Sequence, residues 1–283
     1  MSLNLRTFLT ALITLPLSGY GAGTVLDEVV VTATKGETLI GDTAASIGFI
    51  DESVLRRVDP THISEVLQRV PGVWISRGNG QEHLTAIRSP VLTGAGSCGA
   101  FIMAQDGISL RSPGFCNVNE LFEATTELAS RIEVVRGPDS SIYGSNAVHG
   151  VINILTPSPE AGLREVTVES GPNDYYRTRL ALSSDSLRLD ASGTTDGGYK
   201  DQSGFDQQKM LLKHRVLTAE RQITTTFSYT NLNQETAGFI RGHDSYKDSG
   251  KKRDNPNPEA YRDARSFRLV SEIDQQLRKA RLL

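Results

Sequence analysis

From residue 163 onward the chain repeats one pattern, in which apolar and charged side chains alternate along short strand-like stretches. Residues 163–171, 174–184, 186–196, 205–217, 220–232 and 264–272 each read as one strand. Successive side chains on a strand point to opposite faces. Thr178, Leu180 and Leu182 therefore oppose Arg177 and Arg179, and Leu187, Leu189 and Ala191 oppose Arg188 and Asp190. Met210, Leu212 and Val216 likewise oppose Lys209, Lys213 and Arg215, and Phe267 and Leu269 oppose Arg268 and Glu272. One apolar and one charged face at period two is the signature of a transmembrane β-barrel. A half-buried soluble sandwich reads the same strand by strand, so the connections have to decide. They alternate: tight turns at 184–186 and 218–219, a longer loop at 197–204, and a long polar one at 233–263. Short turns on one side and long loops on the other belong to outer-membrane barrels, whereas a compact soluble domain seldom carries so long a structureless loop. Phe239, Tyr246 and Tyr261 in that loop are candidates to touch a ligand.

The N-terminus reads as an address. Arg6, the apolar run 8–17 and the small residues from Ser18 to Gly23 have the layout of a cleaved secretory signal, with cleavage in 19–24. The run is too short to span a bilayer as a helix. Net charge is −3 with no basic stripe, which gives no reason to expect a nucleic-acid partner. Cys98 and Cys116 are an even pair in an exported chain and are expected to be bonded. His83 and His149 stand at no metal-ligand spacing, and no metal or other cofactor is expected. An exported enzyme is the distant alternative, and no nucleophile elbow, zinc-protease or P-loop motif supports it.

Between the signal and the repeated strands the grammar is mixed. Asp27–Thr34, DEVVVTAT, favours an extended strand. Ile47–Ile50 reads as a strand, and Asp59-Pro60 as the cap and first position of a helix. Ile63, Val66, Leu67 and Val70 give that helix one apolar face, ended by Pro71-Gly72. Val73–Ile75, with the single tryptophan, reads as a core strand. Phe101–Ser109 is two short strands around Asp106-Gly107, a pair suited to a type I′ turn. In Arg131–Thr156 a strand ends at Arg136-Gly137-Pro138, small residues turn, and Val148–Leu155 resumes.

These stretches together resemble the TonB-dependent outer-membrane receptors. RIEVVRGP…YGSNAVHGVINILT is similar to the end of their plug domain, with Asn146 and His149 where that family commonly has glycine. LQRVPGVWI resembles the plug's helix-to-strand passage. LTAIR resembles the IRG signature, with Ser89 in place of its glycine, and FIMAQDGIS the plug hairpin. DEVVVTA looks like the TonB box. The resemblance implies a signal peptide (1–23), a TonB box and linker (24–40), an α+β plug (41–157) and an incomplete antiparallel transmembrane β-barrel (163–283) of about six strands, against some 22 in plugged transporters. It implies energy-coupled uptake of a scarce nutrient complex, such as a ferric siderophore, at the cell outer membrane. TonB would pull on Asp27, Glu28, Val29, Val30, Val31, Thr32 and Ala33 by strand addition. Arg88, Asp106, Glu133 and Arg136 fall on motifs that brace plug against barrel. Arg111 and Phe115 lie in loops that face arriving ligand in that family. A truncated, non-transporting remnant of such a receptor is the alternative.

Overall fold

The computed structural model describes residues 30–31, 38–92, 99–111 and 122–275. Two short strands come first, β1 (Val30–Val31) and β2 (Thr38–Leu39), paired antiparallel with Val30 opposite Leu39. β3 (Ile47–Ile50) leads directly into α1 (Glu52–Val58). The carboxylate of Asp51 caps that helix by accepting from the Val54 amide at 2.9 Å.

The expected helix from Asp59 is corrected here. Asp59 closes α1: its φ is 50° and its amide bonds the Leu55 carbonyl at 2.8 Å. Only Ser64–Leu67 (α2) is helical after it. The apolar face survives the correction, because Ile63, Val66, Leu67 and Val70 are all buried. A second correction concerns Trp74. In β4 (Val73–Arg77), paired with β5 (His83–Ile87), Val73 and Ile75 point into the core, and strand alternation turns Trp74 outward, 62% exposed.

Four more strands complete this unit: β6 (Phe101–Gln105), β7 (Ile108–Ser109), β8 (Arg131–Arg136) and β9 (Gly150–Leu155). With β3 they form one sheet in the order β3-β8-β9-β6-β7, antiparallel except for the β9–β6 pair. Asp106 and Gly107 lie at φ 48° and 75°, as a type I′ hairpin requires. The turn after β8 contains a short helix, α3 (Ser140–Tyr143), and β9 starts at Gly150 rather than Val148. A Cβ on Gly150 would collide with the Val135 carbonyl, so the two strands close up only around glycine. Positive φ in this turn falls on Gly137 and Gly144, and neither Asn146 nor His149 adopts it. The two positions therefore do without glycine at no cost in φ. The core is built from α1, α2 and both sheets, with Leu67, Ile75, Ile87, Met103, Ile132 and Ile152 at its centre.

The second unit is one antiparallel meander: β10 (Arg164–Gly171), β11 (Tyr175–Ser183), β12 (Leu187–Asp196), β13 (Phe205–Leu217), β14 (Arg221–Glu235) and β15 (Tyr261–Gln275). Its six strands match the expected ones, with β14 and β15 running longer and shortening the loop between them to 236–260. The segment 157–163 and the turns at 184–186 and 218–220 share one end of the sheet, where Arg215 reaches the Pro159 carbonyl and Ser183 the amide of Glu160. The loops at 197–204 and 236–260 share the other.

Exposure decides between barrel wall and soluble sandwich. Val166, Val168, Phe267, Leu269 and Ile273 on the apolar face are more than 60% exposed. The charged face is the covered one: Arg177, Arg188, Asp190, Lys209 and Lys213 are all buried. A soluble sandwich would bury the apolar row in its core. Apolar out and charged in is the arrangement of a wall facing lipid around a polar interior. No helix among the described residues is long and apolar enough to cross a membrane.

Candidate functional site

The covered charges of the wall meet the N-terminal unit in a chain of specific contacts. On β13, Lys209 donates to the Ala124 carbonyl at 2.7 Å and pairs with the Glu127 carboxylate at 2.9 Å. Two repeats of the pleat further, Lys213 donates to the Thr156 carbonyl at 3.1 Å and lies 3.4 Å from Asp106. On β11, Arg177 donates to the carbonyls of Asp59 and Pro60 at 2.8 and 2.7 Å and to Glu169 on β10. The Asp59 carboxylate sits 2.6 Å from Arg179 and 3.0 Å from Arg177. Burial raises the Asp59 carboxyl above its ordinary value, opposed by those two guanidinium groups. Nearer the long loops, Glu82 pairs with Arg262 at 3.0 Å, and the Gln81 amide donates to the Gln234 side chain at 2.7 Å. Buried pairs of this kind contribute geometry more than net stability, since desolvation offsets much of the attraction. They fix how the first unit sits inside the wall.

Beyond Glu82 the seam opens into a cleft of about 1060 Å³ on the long-loop side. Gly78 and Asn79 line it from the first unit, and Asp201, Phe239, Arg241 and Lys251 from the loops. Phe239 is 79% exposed, a large apolar side chain held in a polar, mixed-charge surround.

Residues 40–151 match the family model described as the TonB-dependent Receptor Plug Domain. The chain contains a plug domain of the TonB-dependent receptor type. Solved structures resemble it across both units. The ferric citrate transporter FecA in its unliganded form superposes with a TM-score of 0.68 at 19% identity, covering 83% of this chain and 38% of that one. FpvA of P. aeruginosa bound to heterologous pyoverdines gives 0.67 at 15% identity, with 88% and 34% covered. The ferric yersiniabactin uptake receptor FyuA from Yersinia pestis gives 0.57 at 18% identity, with 81% and 37% covered. At such identities the likeness is one of fold. The chain spans about a third of the length of these structures. The family and these relatives are receptors and transporters, not enzymes.

The sequence-expected residues distribute unevenly over the plug and its seam. Asp106 lies in the seam: its carboxylate accepts from the Thr156 amide at 2.8 Å and hydroxyl at 2.5 Å, beside Lys213. Arg88 and Arg136 hold plug segments to one another. Arg88, at φ 48°, reaches Ser46 and the Arg136 carbonyl, and Arg136 reaches the carbonyls of Pro71 and Ile47. Left-handed backbone falls on Arg88 and not on Ser89, so serine is accommodated where the family signature has glycine. Glu133 is fully buried in β8, 3.4 Å from Arg131. Arg111 is drawn onto the buried Glu123 at 2.6 Å. Of the residues expected to form a TonB box, Val30 and Val31 form β1, while Asp27, Glu28, Val29, Thr32 and Ala33 lie outside the described residues. So do Cys98, Cys116 and Phe115, and the disulfide stays a proposal. Sequence reading named Asp59 only as a helix cap and Arg177 and Lys209 only as charged strand residues, gave none of them a site role, and did not reach Glu127. The signal for the wall residues was present: they are the charged members of the period-two strands.

Proposed function

We propose that this chain forms the plug and first wall strands of an outer-membrane receptor that takes up a scarce nutrient complex, such as a ferric siderophore, with energy delivered by TonB through Asp27–Ala33. The observation that carries the reading is the inverted wall. Its apolar face is exposed, and its buried Lys209, Lys213 and Arg177 are spent on gripping the plug. A plug held that way inside a lipid-facing wall has one evident use, to close a pore until something displaces it. The cleft between Asn79, Phe239 and Arg241 lies at the long-loop end, which in outer-membrane barrels is the outer side. Relatives of the same fold are named for ferric citrate, ferric yersiniabactin and ferric pyoverdine complexes, which supports an iron complex as ligand. The test is iron-limited growth of a receptor-null strain expressing the gene, with a panel of ferric chelates and with or without TonB. Uptake that needs both the gene and TonB is expected. Uptake that persists without TonB would overturn the reading.

A further inference from the structure

The plug–wall seam contains a pair of histidines that the uptake mechanism does not use. His62 precedes α2 and His83 opens β5; their rings meet edge to face, 5.4 Å between centroids at 88°. Both are almost wholly buried, at 1% and 4% exposure. Backbone partners settle their tautomers. The Ser64 amide can only donate, and it lies 3.1 Å from His62 Nδ1, so neutral His62 carries its proton on Nε2. The Gln81 carbonyl can only accept, and it lies 3.1 Å from His83 Nδ1, so His83 carries its proton there and presents a bare Nε2. One ring thus offers a donor and the other an acceptor, and neither Nε2 has a hydrogen bond among the described residues.

Both rings line a small, partly closed cavity together with Pro60, Gln81, Glu127 and Lys209. The space open to the centre of a water-sized sphere is about 10 Å³, which is close to what one water needs. Lys209 brings a third group. Its ammonium has three protons, two of them directed at Ala124 and Glu127. Buried water is stable where it finds about three polar partners. We propose that His62 and His83 form a site for one structural water, which accepts from His62 Nε2–H and from Lys209 and donates to His83 Nε2. Because Lys209 belongs to the wall and both histidines to the plug, the water is a joint across the seam. The competing arrangement is direct: the Gln81 carbonyl also acts on the His62 ring, and a slight shift would let His62 Nε2–H take it without water.

The full chain, labelled with ¹⁵N in its five histidines and held in detergent micelles at neutral pH, distinguishes them. The expected spectrum has His62 protonated at Nε2 and His83 at Nδ1, with magnetisation passing from one slowly exchanging water to the His62 Nε2 proton. Equal tautomers, or a His62 Nε2 proton coupled to the Gln81 carbonyl with no water contact, would overturn the site. A mutant cycle adds a second reading on the same chain. His62→Phe and His83→Phe should each lower the melting temperature of the plug, and the double variant should lower it by less than their sum, since no lone nitrogen is then left unpaired. Additive losses would count against a shared water. Should a single variant fail to fold, the spectrum of the unaltered chain still decides.

Discussion

The ammonium of Lys209 lies 2.9 Å from the Glu127 carboxylate, and the two side chains are only 4% and 6% exposed although one belongs to the wall and the other to the plug. A pair this dry is far costlier to break than to do without. Lys209→Met is expected to destabilise the chain by about 3–5 kcal/mol, because Glu127 stays buried with Ser192 as its remaining wall partner. Lys209→Met combined with Glu127→Leu should recover most of that loss. Denaturant titration of the three proteins is the check, and a double variant as weak as the single one would mean the pair is not isolated in the seam.

Asp106 combines two demands at one position: a left-handed backbone and a carboxylate shared by Thr156 and Lys213. Asn tolerates the backbone and keeps one acceptor, whereas Ala satisfies neither demand. Asp106→Ala should therefore cost about 3 kcal/mol, from charge-assisted hydrogen bonds and left-handed strain together, and Asp106→Asn clearly less. Urea midpoints at unchanged slope would measure both.

Acid should loosen the plug through its histidines. Burial is the main force holding His62 down to about 2 and His83 below its ordinary value. Arg77 and Lys209 face His62 with like charge, while Glu127 is bound to Lys209 and Glu65 to Arg77. The sign follows from the unfolded chain, where histidine binds its proton near pH 6.5. Stability from these groups is fully present above that value and is lost as pH falls below it, by about 1.4 kcal/mol per pH unit for each histidine that charges only on unfolding. Burial raises the carboxyls of Asp59, Asp139 and Glu82, and their protonation works in the opposite direction. The histidine contribution is read between pH 6.5 and 5 as the difference between the unaltered chain and the variant that lacks both rings. Melting curves there should fall steeply for the unaltered chain and lie nearly flat for the His62→Phe, His83→Phe double variant.

How far these features could be read in advance depended on their range. The six wall strands were legible, because alternation and turn residues are local, and only β14 and β15 ran past their expected limits. The Asp106-Gly107 hairpin was legible for the same reason. The helix was misplaced because Asp59-Pro60 imitates a cap and first position, while the working cap, Asp51 on the Val54 amide, lies eight residues earlier in a segment with a weaker apolar face. Trp74 was misjudged by reading Val73–Ile75 as one apolar run, though period two already separates Trp74 from its neighbours. Seam partners were out of reach: Lys209 finds Glu127, and Arg177 finds Asp59, only after both units have folded. No local pattern encodes such a pairing.

Trp74 offers an optical test of that correction. As the single tryptophan it reports on one place, and at 62% exposure its emission should be that of a hydrated indole, accessible to iodide. A blue-shifted, unquenched spectrum from the folded chain would show β4 turned the other way.

The proposed TonB box yields the most direct functional prediction. Val30 and Val31 form a strand already paired with Leu39 and Thr38, so this stretch is extended and takes backbone partners. Strand addition to TonB would use the same backbone groups, by displacing β2 or along the opposite edge. Side-chain identity should then matter little, and Val30→Thr should transport normally. Proline at 30 removes a donor and fixes φ, which disfavours a ladder on either edge. None of the plug–wall contacts described above involves Val30, so the proposed ligand cleft should be untouched. In the gene product as expressed in the cell, Val30→Pro should abolish TonB-dependent uptake while ligand still binds. Binding and uptake measured side by side give the answer. Loss of both would mean that the strand serves the fold of the plug, and normal uptake would mean that TonB engages another segment.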